Sequence, residues 1–311
     1  MGELKHIFSW SFSSAESFDQ CRRKYFWKKY GGWNGWKSSA SEETKKAYLL
    51  GKMQNKWSLI GTAAEDAVMW MLREHQAGNK VTCDQAWDFI RPDLTKKWNE
   101  SYNKEWLQNP KKFFLREHYY EKKIDDNKVK KEIAVAIKNC IKIFQETVLP
   151  RLSKLDLSQE IKVASKDGDI EHFFYEGVKI YAIPDYAYKV ENQIHIHDWK
   201  SGKMKVDQHK LQLSIYTLWA IIKYDAEIEN IFLYIEYLKE GKVFPFQIDK
   251  SDLEITKNII EESIGEMSEY LVDFDRDENV PLPKEEWELT LDRNNCRFCS
   301  FYELCEKELS A

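Results

Sequence analysis

Several things are missing from this chain of 311 residues. No stretch approaches the roughly 20 apolar residues that a membrane helix needs. The N-terminus lacks the pattern of a secretory signal, and Met1-Gly2 is not followed by the Ser or Thr of a myristoylation site. There is no low-complexity segment, no internal repeat and no G-x-x-x-x-G-K-[ST] loop, which sets aside disordered tails, solenoids and P-loop chemistry. Positive charge is not in excess either, since the net charge is -5. Any hold on phosphates must then come from local runs such as Arg22-Arg23-Lys24, Lys111-Lys112 and Lys130-Lys131. These absences predict a soluble, cytoplasmic protein with no membrane partner. In that compartment six cysteines read as free thiols or metal ligands before disulfides.

What is present is ample core material, with 14% aromatic residues including 12 Trp, enough for one large or two modest domains. Ser13-Ser14-Ala15-Glu16 reads as a capping box opening a helix through Phe18, Cys21, Tyr25 and Phe26 to Gly31-Gly32. Residues 33–50 read as a loop. A second helix keeps Leu59, Ala63, Ala67 and Met71 inside and carries Glu65-Asp66. Residues 84–150 look helical, with a break near Asn109-Pro110. The strongest stripe there is Val129, Ile133, Ile137, Cys140, Ile141, Phe144 and Val148, which makes Cys140 core. Strands are expected at 161–163, 173–175, 178–190 and 193–199, with turns at Gly168 and Gly177. A helix over 207–223, with Leu211, Ile215, Leu218 and Ile222 inward, leads to a hairpin of 228–238 with 243–248 and a helix over 251–274.

Chemistry concentrates in the middle. Ile194 and Ile196 alternate with His195 and His197, the period of a half-buried strand. In that register Asp198 and Lys200 lie on the isoleucine side, at a strand end broken by Ser201-Gly202. Upstream, Val178, Ile180 and Ala182 run into Pro184-Asp185. Two carboxylates beside an ammonium suit a divalent cation, Mg2+ or Mn2+, that polarises a phosphodiester and lowers the pKa of an attacking water. The lysine would orient that water or stabilise transition-state charge. A bare D-x-K is an ordinary strand-end ion pair; the flanking Pro-Asp and Ser-Gly-Lys set this one apart. Gln212 and Tyr216, one helical turn apart and off the apolar stripe, face either the cleft or solvent. Cys296, Cys299 and Cys305 have the spacing C-x2-C-x5-C, which points to metal. A fourth ligand would be Cys21, Cys83 or Cys140, and zinc is the default for four thiolates.

Together these residues resemble the PD-(D/E)XK nuclease superfamily, and within it the RecB-type exonucleases that carry an iron–sulfur cluster. That group includes the CRISPR-associated four-cysteine nuclease, the AddB nuclease domain and exonuclease V. Ile183-Pro184-Asp185 is similar to the family's G-x-x-D motif, with Ala182 for the usual glycine. Asp198-Trp199-Lys200-Ser201-Gly202 is similar to D-Y-K-T-G, and Gln212 and Tyr216 match the following Q-x3-Y. Ser14, Phe18 and Cys21 fit the family's opening helix, with Arg22 where proline is usual, and the three late cysteines fit its end. The resemblance implies a 4Fe-4S cluster instead of zinc, with Cys21 as fourth ligand. It also implies metal ligation by Asp185, Asp198 and the Trp199 carbonyl. Gly61-Thr62-Ala63-Ala64-Glu65 stands where relatives have G-T-x-x-H, so Glu65 replaces a ligating histidine.

The implied fold is α/β: a restriction-endonuclease-like central mixed sheet flanked by helices, with a helical insertion and a C-terminal cysteine cluster. The whole of 1–311 is expected to form a single nuclease domain, with N-terminal helices at 8–75, the insertion at 84–150, a catalytic core at 158–250 and the cysteine segment at 281–311. The implied activity is Mg/Mn-dependent DNA hydrolysis on single-stranded or end-exposed DNA, in repair, recombination or CRISPR adaptation, with a helicase or adaptation-complex protein as partner. Two other readings stand beside it: a nucleic-acid-binding subunit of a larger helicase–nuclease complex, inactive alone, and a zinc-stabilised binding protein with an incidental D-x-K.

Overall fold

The computed structural model describes residues 5–121, 123–161, 170–274 and 278–310. After strand β1 (Ser9–Trp10), helix α1 (Phe12–Gln20) starts from Ser11, whose hydroxyl accepts from Ser14 N at 3.2 Å. The cap therefore lies upstream of the expected Ser13 box. The helix does not continue to Phe26 either. Cys21 turns extended, ends α1 and caps α2 (Arg22–Phe26), its Sγ accepting from Lys24 N at 3.4 Å. Residues 33–50 are not all loop, because α3 (Glu42–Gly51) begins there under a Ser41 cap. Only Ala47 and Leu50 of α3 are buried, a stripe too narrow to register as periodicity.

Asn55 caps α4 (Lys56–Gln76) by accepting from Trp57 N and Ser58 N, each at 2.9 Å. The expected inner residues of α4 are buried, together with Ile60, Ala64, Val68 and Leu72. α5 (Cys83–Tyr102), α6 (Arg116–Tyr120), α7 (Asp126–Thr147) and α8 (Leu149–Leu152) make up the helical region. Every residue of the α7 stripe is buried, Cys140 included.

The expected strand over 178–190 is two strands. β2 (His172–Tyr175) and β3 (Val178–Tyr181) join β1 in a three-stranded sheet, whereas β4 (Tyr186–Val190) pairs with β5 (Gln193–Lys200) in another. Pro184, without an N–H for a ladder, lies in the break. Ile161 N donates to Ala187 O at 2.8 Å; Lys162, Val163 and Gly168 lie outside the described residues. α9 (Val206–Tyr224), β6 (Ile231–Tyr237) and β7 (Lys242–Phe246) follow. The second sheet runs β4-β5-β6-β7 with antiparallel, parallel and antiparallel pairings, which is the central mixed sheet expected. α10 (Lys250–Ser268) stops short of 274, because β8 (Leu271–Phe274) pairs antiparallel with β9 (Asn279–Pro281). α11 (Arg293–Arg297) and α12 (Tyr302–Leu309) end the chain's elements.

Parallel pairing of β5 with β6 needs a crossover, and α9 supplies it. One sheet face packs Ile194, Ile196, Leu233 and Ile235 in the same apolar cluster as residues of α9 and α10. Trp199 and Tyr186 join the cluster of α4, α5 and α7. α9 runs deep: every residue from Leu213 to Ala220 is buried, while Ile222, expected to point inward, is 43% exposed. The C-terminal segment folds back on the first helices. Arg23 pairs with Glu308 at 2.8 Å and donates from Nε to Trp287 O at 2.8 Å. Among the described residues no helix is long and apolar enough to cross a membrane.

Candidate active site

The crossover brings three things to one sheet end: the tip of β5, the turn entering β4, and the middle of α9. Asp198 and Lys200 continue the Ile194/Ile196 face toward α9, as alternation requires. Trp199 points the other way, its ring 5.2 Å from that of Phe144 on α7. Asp185 sits just before β4, and its Oδ2 accepts from Trp199 N at 2.5 Å, which holds it beside the strand that bears Asp198. Lys200 Nζ donates to Gln212 Oε1 at 2.9 Å, and Gln212 Nε2 donates to Tyr216 OH at 2.7 Å. Tyr216 OH in turn reaches Ile183 O at 3.0 Å and Asp198 Oδ1 at 3.4 Å. Gln212 and Tyr216 therefore face the cleft and not solvent.

Opposite them runs α4. Gly61 passes the strand end closely enough that a Cβ there would stand 3.4 Å from Ser201 Oγ. One turn on, Glu65 reaches the same space. Glu65, Asp185, Asp198, Lys200, Gln212 and Tyr216 all line one pocket of about 330 Å³, with Trp199 in its wall.

The charges in this pocket do not balance. Burial pushes the Asp185 carboxyl well above its ordinary value, and Asp198 and Glu65 push it further, against Lys200 and the Trp199 N–H. Glu65 is open at the pocket mouth, yet the protein crowded around it, then Asp66 and Asp198, raise it too. Burial works to neutralise Lys200, but the Asp198 carboxylate outweighs it and holds the ammonium above its usual pKa. Asp198 Oδ2 is buried without a hydrogen bond. Lys200 Nζ lies 2.5 Å from it as an ion pair, off hydrogen-bonding geometry. Three carboxylates around one ammonium leave negative charge in excess, which suits a hard divalent cation. The oxygen donors present fit such an ion. They form a loose set, since among the described residues no three His, Cys, Asp or Glu side chains stand ready to hold a metal.

Two residues of this neighbourhood were not legible in the sequence. His209 lies one turn before Gln212 on α9, and its Nδ1 is 2.6 Å from the hydroxyl of Tyr237, which faces Lys200 across the β5/β6 ladder. Burial and then the Lys200 charge push His209 down to about 4. The spacing His209, Gln212, Tyr216 is a helical stripe that could have flagged it.

The four expected cluster cysteines come from the two ends of the chain. Cys21 Sγ is 4.0 Å from Glu288 O of the C-terminal segment, and Cys299 N donates to Cys296 O at 3.1 Å. Burial pushes the Cys299 thiol up to about 11, with Cys305 and Cys21 adding to the effect. Cys305 is raised by burial, and Cys21 contributes there also. Cys21, Cys299 and Cys305 thus lie within electrostatic reach of one another. Cys140 is in the α7 core, and Cys83 pairs with Gln145, so neither joins them.

A mixed sheet crossed by one helix, with paired carboxylates and a lysine at the strand ends, defines an α/β protein of restriction-endonuclease-like fold. The family model of the PD-(D/E)XK nuclease superfamily matches residues 9–306. The chain belongs to that superfamily, whose members are nucleases, phosphodiester hydrolases that typically use divalent metal ions. No curated protein matches the chain.

Proposed function

We propose that the chain, as one unit over 1–311, is a Mg2+- or Mn2+-dependent deoxyribonuclease acting on single-stranded or end-exposed DNA. The observation that carries this is the convergence of three carboxylates, Glu65, Asp185 and Asp198, on one pocket opposite the Lys200–Gln212–Tyr216 chain. Asp185 and Asp198 would hold the cation, helped by Glu65 and the Trp199 carbonyl. When bound, the cation supplies charge that polarises a phosphodiester and acidifies a nearby water. Lys200, kept cationic by Asp198, stabilises negative charge that builds on the phosphate oxygens and orients the attacking water. Gln212 aims the ammonium, and Tyr216 ties Gln212 to the Ile183 carbonyl beside Asp185. The decisive assay measures degradation of single-stranded, duplex and tailed DNA with and without Mn2+. Lys200→Ala should lose about 100-fold or more in rate with an unchanged unfolding midpoint. Undiminished cleavage would sink the assignment.

We also infer that Cys21, Cys296, Cys299 and Cys305 ligate a structural 4Fe-4S cluster. Support comes from Cys21 at the α1/α2 junction, which lies within electrostatic reach of Cys299 and Cys305 in the C-terminal segment. The purified protein should contain iron and sulfide and absorb in the visible. Colourless protein with stoichiometric zinc would count against it.

A further inference from the structure

α6, α11 and α12 enclose a second cavity, of about 540 Å³. Its wall carries three arginines (Arg116, Arg293 and Arg297), the rings of Tyr120 and Tyr302, and Cys296. Three guanidiniums around one space repel each other unless anions compensate. Among the described residues, none of the three forms an ion pair, and three acids of α11, α12 and its approach are engaged elsewhere. Asp292 caps α11 through Asn294 N at 3.0 Å, Glu303 pairs with Lys46 at 2.8 Å, and Glu308 pairs with Arg23. Arg116 donates from Nη2 to Arg297 O at 2.6 Å, while its Nε is buried with no partner.

An aromatic platform lies against these charges. Phe298 is 67% exposed, with the Arg116 guanidinium 5.5 Å and the Arg297 guanidinium 5.3 Å from its ring centroid. Unpaired guanidinium forks match phosphate oxygens, and an exposed ring matches the face of a base. A plain acidic peptide would use the arginines and leave the ring idle.

We propose that this cavity binds one nucleotide unit of a single nucleic-acid strand, its phosphate on the arginines and its base on Phe298, apart from the hydrolytic pocket. The inference rests on the nuclease reading only for the source of the strand. A short stretch of backbone links the two sites. Arg116 N donates to Gln54 O at 2.7 Å, and Gln54 leads through the Asn55 cap to Ser58, which lines the hydrolytic pocket. Trp57, 66% exposed, lies on the same short stretch. A strand long enough to reach both sites gains affinity from each.

The test uses the full-length Lys200→Ala protein with a fluorescein-labelled oligothymidylate in EDTA, so that cleavage does not interfere. Adding Arg293→Ala and Arg297→Ala, both exposed, should weaken binding about tenfold or more and make the salt dependence shallower by roughly one to two phosphate contacts. Phe298→Ala should weaken it about fivefold or more, and Phe298→Tyr should restore it. Circular dichroism melts verify folding. Unchanged affinity in the arginine variant, or no binding by the parent protein, overturns the proposal. If the otherwise native protein cleaves DNA while the arginine variant binds normally, the cavity assignment fails and the nuclease reading stands. If cleavage is absent but binding falls with the arginines, the cavity stands and the hydrolytic reading fails.

Discussion

Lys200 is the residue on which the site's arrangement turns. Its ammonium is caught between Asp198 and the Gln212 amide, and the amide is itself held by the Tyr216 hydroxyl. Such a chain orients a charge without neutralising it. Gln212→Ala should therefore lower kcat roughly tenfold or more, since small misplacements of a catalytic group are costly. KM should stay near its original value, and the unfolding midpoint should move little because Gln212 is only half-buried. Steady-state kinetics beside thermal melts check this; a large drop in stability with intact kcat would assign Gln212 a packing role instead. At this scale Asp198 and Lys200 were legible because strand alternation is strict, and Gln212 and Tyr216 because a four-residue step returns to the same helix face. His209 was not, since its link to Lys200 runs through Tyr237 on another strand.

Elements were legible in proportion to the width of their buried stripe. α7 buries its whole predicted row, while β5, expected to be half-buried, is buried on both faces from Ile196 to Trp199. α3 buries two side chains and was missed. The split of β3 from β4 was missed because both carry the same alternation, and local pattern does not say which sheet a strand joins. Irregular segments are held by specific polar contacts, as where the chain after α5 docks back on it. Buried Glu100 accepts from Lys112 Nζ at 2.8 Å and Phe113 N at 3.0 Å. Burial alone would raise its carboxyl, yet Lys112 and the Phe113 N–H bring it below the usual range. A carboxyl lowered in the folded state adds stability that is complete above its ordinary value near 4.5 and fades as pH falls through the lower folded value. Glu100→Ala should cost about 1.5–3 kcal/mol at neutral pH, and urea midpoints of wild type and variant should converge under acid. A gap that persists at low pH would refute the charge argument.

Over the whole molecule, the two ends of the chain meet. Arg23 joins α2 to α12, and Trp287 packs among Tyr25, Phe26, Tyr30 and Tyr270. If Cys21 is a cluster ligand, Cys21→Ala should lower the thermal midpoint far more than Cys140→Ala. Burial alone favours the reverse order, because Cys140 is the more deeply buried of the two. Equal shifts, or a larger one for Cys140, would remove Cys21 from the ligand set.

By itself the sequence determined the local pieces: an alternating strand ending in Asp198 and Lys200, helices with apolar stripes, and cysteines spaced for a metal. Those are short-range properties, set by side-chain period and backbone preference. Only the tertiary structure decided that Glu65, Asp185 and the α9 pair share one pocket, that three carboxylates crowd a single ammonium there, and that three arginines surround a separate cavity. Those facts depend on the parallel crossover and on the meeting of distant segments, which no local pattern encodes.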